Sequence, residues 1–265
     1  MSTGIFRFYV IWFCCGFLLL TFDILPPALE WANAVFLMAA GLLGGIYFYK
    51  QYGALKGLLY SGAVFVISIL VEYLGVQFQG FFGNYYYNND FGPMIGGVPI
   101  TIGFAWLMVM AGAHEISSTL VRRLSFGWYA VSFVIIGGFL AISIDLILDP
   151  VAYQIKEYWV WQEDGPYYNI PLSNFTDWFY LAIFFQILAL VMFQKQKPSQ
   201  PVWQTRAVFV FFSITIMFTW LALLEGLYGA VMLVTSLTSL WILLYLQKRG
   251  TNDSSKEEHI LGKRV

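Results

Sequence analysis

The sequence is short of charge. Asp, Glu, Lys and Arg make up 11% of its 265 residues, where soluble globular proteins carry roughly a quarter. That is too little to cover a water-facing surface, so a soluble fold is largely excluded. Histidine is scarcer still. There are two, and one of them, His259, stands in the polar C-terminal stretch. Membrane di-iron oxygenases need many histidines and paired haem ligation needs two within the bilayer, so neither chemistry fits. No lysine interrupts the middle of an apolar run, which removes a retinal Schiff base. The only cysteines, Cys14 and Cys15, are adjacent inside the first apolar run. They suit neither a disulfide framework nor a zinc site and read as small apolar filler. A Gly-rich dinucleotide loop and a P-loop are missing. With a net charge of −1 and no basic patch interleaved with aromatics, nothing points to a nucleic-acid partner.

What is plentiful is apolar and aromatic. Apolar residues reach 59% and aromatic ones 20%, including 25 Phe, 17 Tyr and 10 Trp. A helix needs about 20 apolar residues to cross a bilayer. Eight such runs are present, approximately Phe8–Leu25, Trp31–Tyr49, Ala54–Val76, Ile100–Leu120, Gly127–Leu148, Trp178–Phe193, Ala207–Leu224 and Tyr228–Leu246. The first follows a short N-terminus with no small-residue cleavage site and is expected to be a helix rather than a removable signal peptide. The last two are divided only by Glu225-Gly226, read as a tight turn at the membrane surface. One undivided helix there would exceed the bilayer about twofold.

The basic residues support this count. With the N-terminus inside, 13 of the 14 Lys and Arg fall in inner segments: Arg7, Lys50, Lys56, Arg122, Arg123, Lys195, Lys197, Arg206 and five beyond Leu246. Only Lys156 falls outside. Adding or removing one span would destroy the asymmetry. The expected fold is an all-α polytopic membrane bundle of about eight transmembrane helices over residues 1–249, both termini cytoplasmic, with a disordered tail over 250–265. Two long outer loops, Gln77–Pro99 and Asp149–Asp177, are too aromatic to float in water and are expected to fold back over the helix ends.

The acids gather opposite the bases. Asp23, Glu30, Glu72, Asp90, Asp145, Asp149, Glu157, Glu163, Asp164, Asp177 and Glu225 all lie at or beyond outer helix ends. Most of these are simply the charges left for outer loops. Glu72 and Asp145 are different, because they interrupt apolar runs, where an ionisable group is costly unless partnered or functional. Asp145 and Asp149 are four apart and share one face of the fifth helix, which Pro150 is expected to stop. Asn174 and Asp177 open the sixth helix. Carboxylic acids gathered in an apolar setting can keep a proton and serve as acids. Asp177 reads equally as a helix-start residue, Glu225 as a surface turn, and His114-Glu115 as an interfacial polar pair.

The stretch Glu72-Tyr-Leu-Gly75, the loop Gly83-Asn-Tyr-Tyr-Tyr87, and Gly97-Val-Pro-Ile100 with Trp106 resemble the first half of the carotenoid biosynthesis protein family. The second half agrees through Asp145-Leu-Ile-Leu-Asp149-Pro150, Trp159-Val-Trp161, Gly165-Pro-Tyr-Tyr-Asn-Ile-Pro171 and Asn174-Phe-Thr-Asp-Trp178. The likeness covers about residues 60–225 and is to the carotenoid 1,2-hydratases of the CruF type and bisanhydrobacterioruberin hydratase. It implies an enzyme that adds water to the terminal double bond of an acyclic carotenoid, without metal or other cofactor, in a bacterial plasma membrane. Its expected partners are an acyclic polyene substrate and membrane lipid. Under this resemblance Glu72 or Asp145 is the acid, and Asp149 and Asn174 position the water. Tyr86, Trp106, Trp159, Trp161, Tyr168 and Trp178 are the candidate substrate contacts, some of them shielding the cation through ring faces. An isoprenoid cyclase uses similar groups but keeps water from the cation. A transporter or lipid-binding protein is a third possibility, disfavoured by the lack of inverted repeats.

Overall fold

The computed structural model describes residues 2–88, 91–193 and 200–261, the last eleven by their backbone alone. The expectations placed on Asp90, Lys195, Lys197, Lys256, Lys263, Arg264 and the side chains of the tail lie outside these residues. Eight helices run as α1 (Ser2–Thr21), α2 (Trp31–Tyr52), α3 (Ala54–Phe78), α4 (Thr101–Val121), α5 (Phe126–Pro150), α6 (Leu172–Phe193), α7 (Pro201–Leu224) and α8 (Tyr228–Leu261). Each is long and apolar enough to cross a bilayer. Within hydrocarbon a helix satisfies its own backbone, which is why long apolar runs take this form. The protein is therefore a multi-pass helical membrane protein, and the even span count puts both termini on one side.

Several helices outrun the apolar runs: α1 starts at Ser2, α7 starts at Pro201 and α8 reaches Leu261. The first helix ends at Thr21, not Leu25, because Pro26-Pro27 bars Leu25 from helical backbone. The sixth starts at Leu172, directly after Pro171, so Asn174 lies in its first turn.

Helix α4 is the hub, packing against α2, α3, α5 and α7. Nearly all its residues are buried, and its mean hydropathy of 1.2 is the lowest of the eight spans, as befits a helix that faces protein rather than lipid. Its approach to α2 is close. A Cβ on Gly44 would come within 2.4 Å of the Leu107 carbonyl oxygen, so only glycine fits there. Helix α1 is the opposite case and buries only Tyr9.

On the acidic, outer side the long loops fold back and join each other. Strand β1 (Tyr85–Tyr87), from the loop after α3, pairs antiparallel with β4 (Trp159–Trp161), from the loop after α5. Strands β2 (Met94–Ile95) and β3 (Val98–Pro99) form a hairpin beside them. Beneath this ribbon lie the outer ends of α3, α5 and α6.

Candidate active site

Pro150 does not stop α5. The helix includes it and runs on into a π turn over Val151–Ile155, where Lys156 N–H donates to the Val151 carbonyl at 3.0 Å. A proline inside a helix lacks the N–H that would bond the carbonyl four residues back, here that of Leu146. The loop supplies the substitute: the Tyr167 hydroxyl donates to Leu146 O at 2.8 Å. With that carbonyl satisfied, the helix continues and Asp149 stays on the same inward face as Asp145.

The side chains of Asp145, Asp149 and Asn174 meet in the core, each almost fully buried. Asn174 Nδ2 donates to Asp145 Oδ2 at 3.0 Å and also to Asp149 Oδ2. One amide thus bridges two carboxyl groups from one helix face. Glu72 is buried alongside, close enough to interact electrostatically with both aspartates. It accepts the Tyr85 hydroxyl at 2.5 Å and the Tyr87 hydroxyl at 2.8 Å, both on Oε2. The indole N–H of Trp106 faces the same carboxylate without reaching hydrogen-bond geometry. Of the outer-end polar residues Glu72, Asp145, Asp149, Asn174, Asp177 and Glu225, the structure brings the first four together, while Asp177 and Glu225 bond elsewhere.

The pleat decides which tyrosines reach Glu72. Alternate residues of a strand face opposite ways, so Tyr85 and Tyr87 turn inward. Tyr86 lies between them, 45% exposed, and does not line the site, contrary to the sequence expectation. Across the ribbon Trp161 packs on Tyr85 with ring centroids 5.0 Å apart, and Trp159 meets Tyr87 at 5.9 Å. These cross-strand pairs follow from the register Tyr85↔Trp161 and Tyr87↔Trp159,. Burial first, and the nearby Glu72 charge second, push the Tyr85 and Tyr87 phenols well above their ordinary pKa. Both therefore remain hydrogen-bond donors.

Gly75 makes room for this contact. A Cβ there would lie 2.9 Å from the Phe81 carbonyl and 3.2 Å from the Tyr85 hydroxyl, which gives Glu72-x-x-Gly75 a physical reading: acid and space, one turn apart.

An apolar cavity opens beside the cluster. Asp145 lines it, together with Trp159, Trp178, Phe36, Phe91, Ile102 and Met217. Trp178 is backed by the buried Trp106, their rings stacked at 4.3 Å. Of the candidate contacts, Trp159 and Trp178 thus form walls, while Trp106 and Trp161 brace the residues next to the site. Tyr168 stands apart from the cluster. Its hydroxyl accepts the Ala230 N–H at 3.0 Å, supporting the first turn of α8. The neighbouring Tyr167 is the loop tyrosine close to Asp145 and Asp149. Sequence reading missed Tyr85, Tyr87 and Tyr167. The first two are singled out by the register of β1 with β4, and the third by the Leu146 carbonyl that it satisfies.

Asp177 accepts the Phe82 N–H at 2.7 Å and so clasps the loop to α6. Glu225 caps the exposed end of α7, at the expected turn. His114 and Glu115 are more deeply placed than an interfacial pair. Glu115 accepts from Tyr47 at 2.8 Å and Thr119 at 3.1 Å, and His114 Nε2 meets the Tyr52 hydroxyl at 2.6 Å. This network fastens α2 to α4 on the inner side.

The fold and site define a polytopic helical membrane protein with a buried, amide-bridged carboxyl cluster beneath an aromatic ribbon. The family model described as carotenoid biosynthesis protein matches residues 32–241, and the chain belongs to that family, which gives it a role in carotenoid biosynthesis. No curated protein and no solved structure matches it.

Proposed function

We propose that the protein is a carotenoid hydratase that adds water to the terminal double bond of an acyclic carotenoid end group. The observation that carries this reading is the position of Asp145. It is the one carboxyl of the cluster that also lines the aromatic-walled cavity, and Asn174 ties it to Asp149.

In this reading the end group lies in the cavity and Asp145 gives its proton to the alkene carbon nearer the chain interior. The π pair becomes the new C–H bond and a tertiary cation forms on the branched carbon. The ring faces of Trp159 and Trp178 stabilise it by cation–π attraction. A water held by Asp149 and the Asn174 amide bonds through oxygen to that carbon and loses a proton to Asp149. Exchange within the bridged pair returns Asp145 to its acid form, so the net change is the addition of one water. Glu72, held by its two tyrosines, supplies negative charge near the cation. The chemistry uses protons and water and calls on no redox cofactor.

The test is Asp145→Asn, expressed in cells that make lycopene, with pigments read by mass. Loss of a general acid lowers turnover by about 10²–10⁴-fold, so the gain of one water in the product should all but vanish. Wild-type product levels from this variant would refute the assignment. A wild-type product of unchanged mass with an altered spectrum would mark a cyclase instead.

A further inference from the structure

A second apolar cavity adjoins the one that reaches Asp145. It lies between α1 and α2, lined by Trp12, Cys15, Gly16, Leu19 and Trp31 among others. Leu20, Asn33, Phe36 and Met217 line both cavities, so only these four side chains stand between the two. The far rim is lipid-facing: Ile11 is 64% and Trp31 54% exposed, and Cys15 is exposed too. Helix α1 is pinned on either side of this opening. Tyr9 bonds Ser213 at 2.8 Å towards the inner side, and Thr21 accepts the Trp220 indole N–H at 3.0 Å at the outer end. Between these fastenings α1 has no fully buried residue, and one bond, from the Trp12 indole N–H to the Ala32 carbonyl at 3.1 Å, ties it to α2.

We infer that this second cavity is a lateral portal through which the hydrocarbon chain of an acyclic polyene passes from the bilayer between α1 and α2, placing its end group beside Asp145. The inference rests on the hydratase reading and adds to it a route and a docking site for the rest of the substrate. Three observations favour this occupant. The lining is almost wholly apolar and aromatic, suited to a polyene and not to a lipid headgroup. The portal lies directly against the cavity that holds the carboxyl group, parted from it only by the side chains of the four residues that line both. A different lipid-facing groove, along Gly45, Gly62 and Lys50 at the inner ends of α2 and α3, shares no lining residue with that cavity.

Gly16 offers a clean test, because it lines the portal and a Cβ there meets nothing within 4 Å, so a side chain at this position starts in open space. Gly62 is equally open but belongs to the other groove. Gly16→Trp, a second portal variant Leu19→Trp, and the control Gly62→Trp are compared in lycopene-producing cells and, as purified protein, for bound lycopene by visible absorbance. The binding measurement is repeated in an Asp145→Asn background, so that it reads occupancy without chemistry. Both portal variants should lower hydroxylated product and bound pigment by about tenfold or more, the scale set by losing a few methylene-sized contacts, while Gly62→Trp should match wild type. Wild-type binding and product in Gly16→Trp and Leu19→Trp, with Asp145→Asn inactive, would overturn the portal and leave the hydratase reading intact. An active Asp145→Asn would overturn the hydratase reading itself. Loss of binding in Gly62→Trp alone would place the entrance at the other groove and reject this one.

Discussion

The hydroxyl of Tyr167 bonds the carbonyl of Leu146 at 2.8 Å, the carbonyl that Pro150 leaves without its helical donor. This pairing lets α5 pass through a proline and keeps Asp145 and Asp149 on one face. Tyr167→Phe leaves a half-buried carbonyl without its donor and should cost about 1 kcal/mol of stability, seen as a lower unfolding midpoint in detergent. Adding Pro150→Ala should recover much of that loss, since residue 150 then has an N–H for Leu146. Equal, additive losses from the two changes would show that the residues are not coupled.

The bridge made by Asn174 gives a graded expectation. Asn174→Ala removes the donor shared by Asp145 and Asp149, and turnover should fall about 10²-fold, on the scale of losing one well-placed catalytic donor. Asn174→Asp puts a third carboxyl beside two others and should fall further. Pigment extracts analysed by mass would rank the two. An Asp variant more active than the Ala variant would contradict the bridging role.

The three consecutive tyrosines should behave unequally. Tyr86→Ala, on the outward face, should leave product levels near wild type. Tyr85→Phe and Tyr87→Phe each take one donor from Glu72, and the double variant should lose more than either, about tenfold or beyond in turnover. Equal effects at all three positions would argue against the register Tyr85↔Trp161 as the cause.

Alkaline pH offers a separate check on Tyr85. Its phenol is pushed well above the ordinary range in the folded protein, whereas in the unfolded chain it ionises near pH 10. The folded state therefore holds this proton more tightly, so its contribution is fully present below about pH 10 and is lost as pH rises beyond. Unfolding midpoints measured from about pH 8 to 11 should fall at the upper end, and the fall should be shallower in Tyr85→Phe. An identical slope in both proteins would show that Tyr85 is not responsible.

The eight spans were legible because each apolar run is bounded by polar residues and because Lys and Arg mark one side. Glu72 and Asp145 were legible for the complementary reason, as acids inside hydrocarbon-length runs. The inward tyrosines were not. Tyr85, Tyr86 and Tyr87 are chemically identical, so the sequence carries no alternation of polarity, and only the register with Trp159–Trp161 picks the inward pair. Tyr167 was hidden for a different reason. Its partner is a backbone carbonyl 21 positions away, freed by a proline that local rules read as a helix end. Tyr168 drew attention instead, although its hydroxyl serves α8.

The carboxyl cluster lies in the outer halves of α3 and α5 and in the first turn of α6, beneath the aromatic ribbon. In the proposed reading, a hydrocarbon end brought there lies on the side of the bundle that carries the folded-back loops. In the proposed reaction the new alcohol is therefore formed at the loop-bearing side, while the rest of the chain stays in apolar surroundings. In that reading the product is an amphiphile already oriented with its polar end towards the loops when it forms.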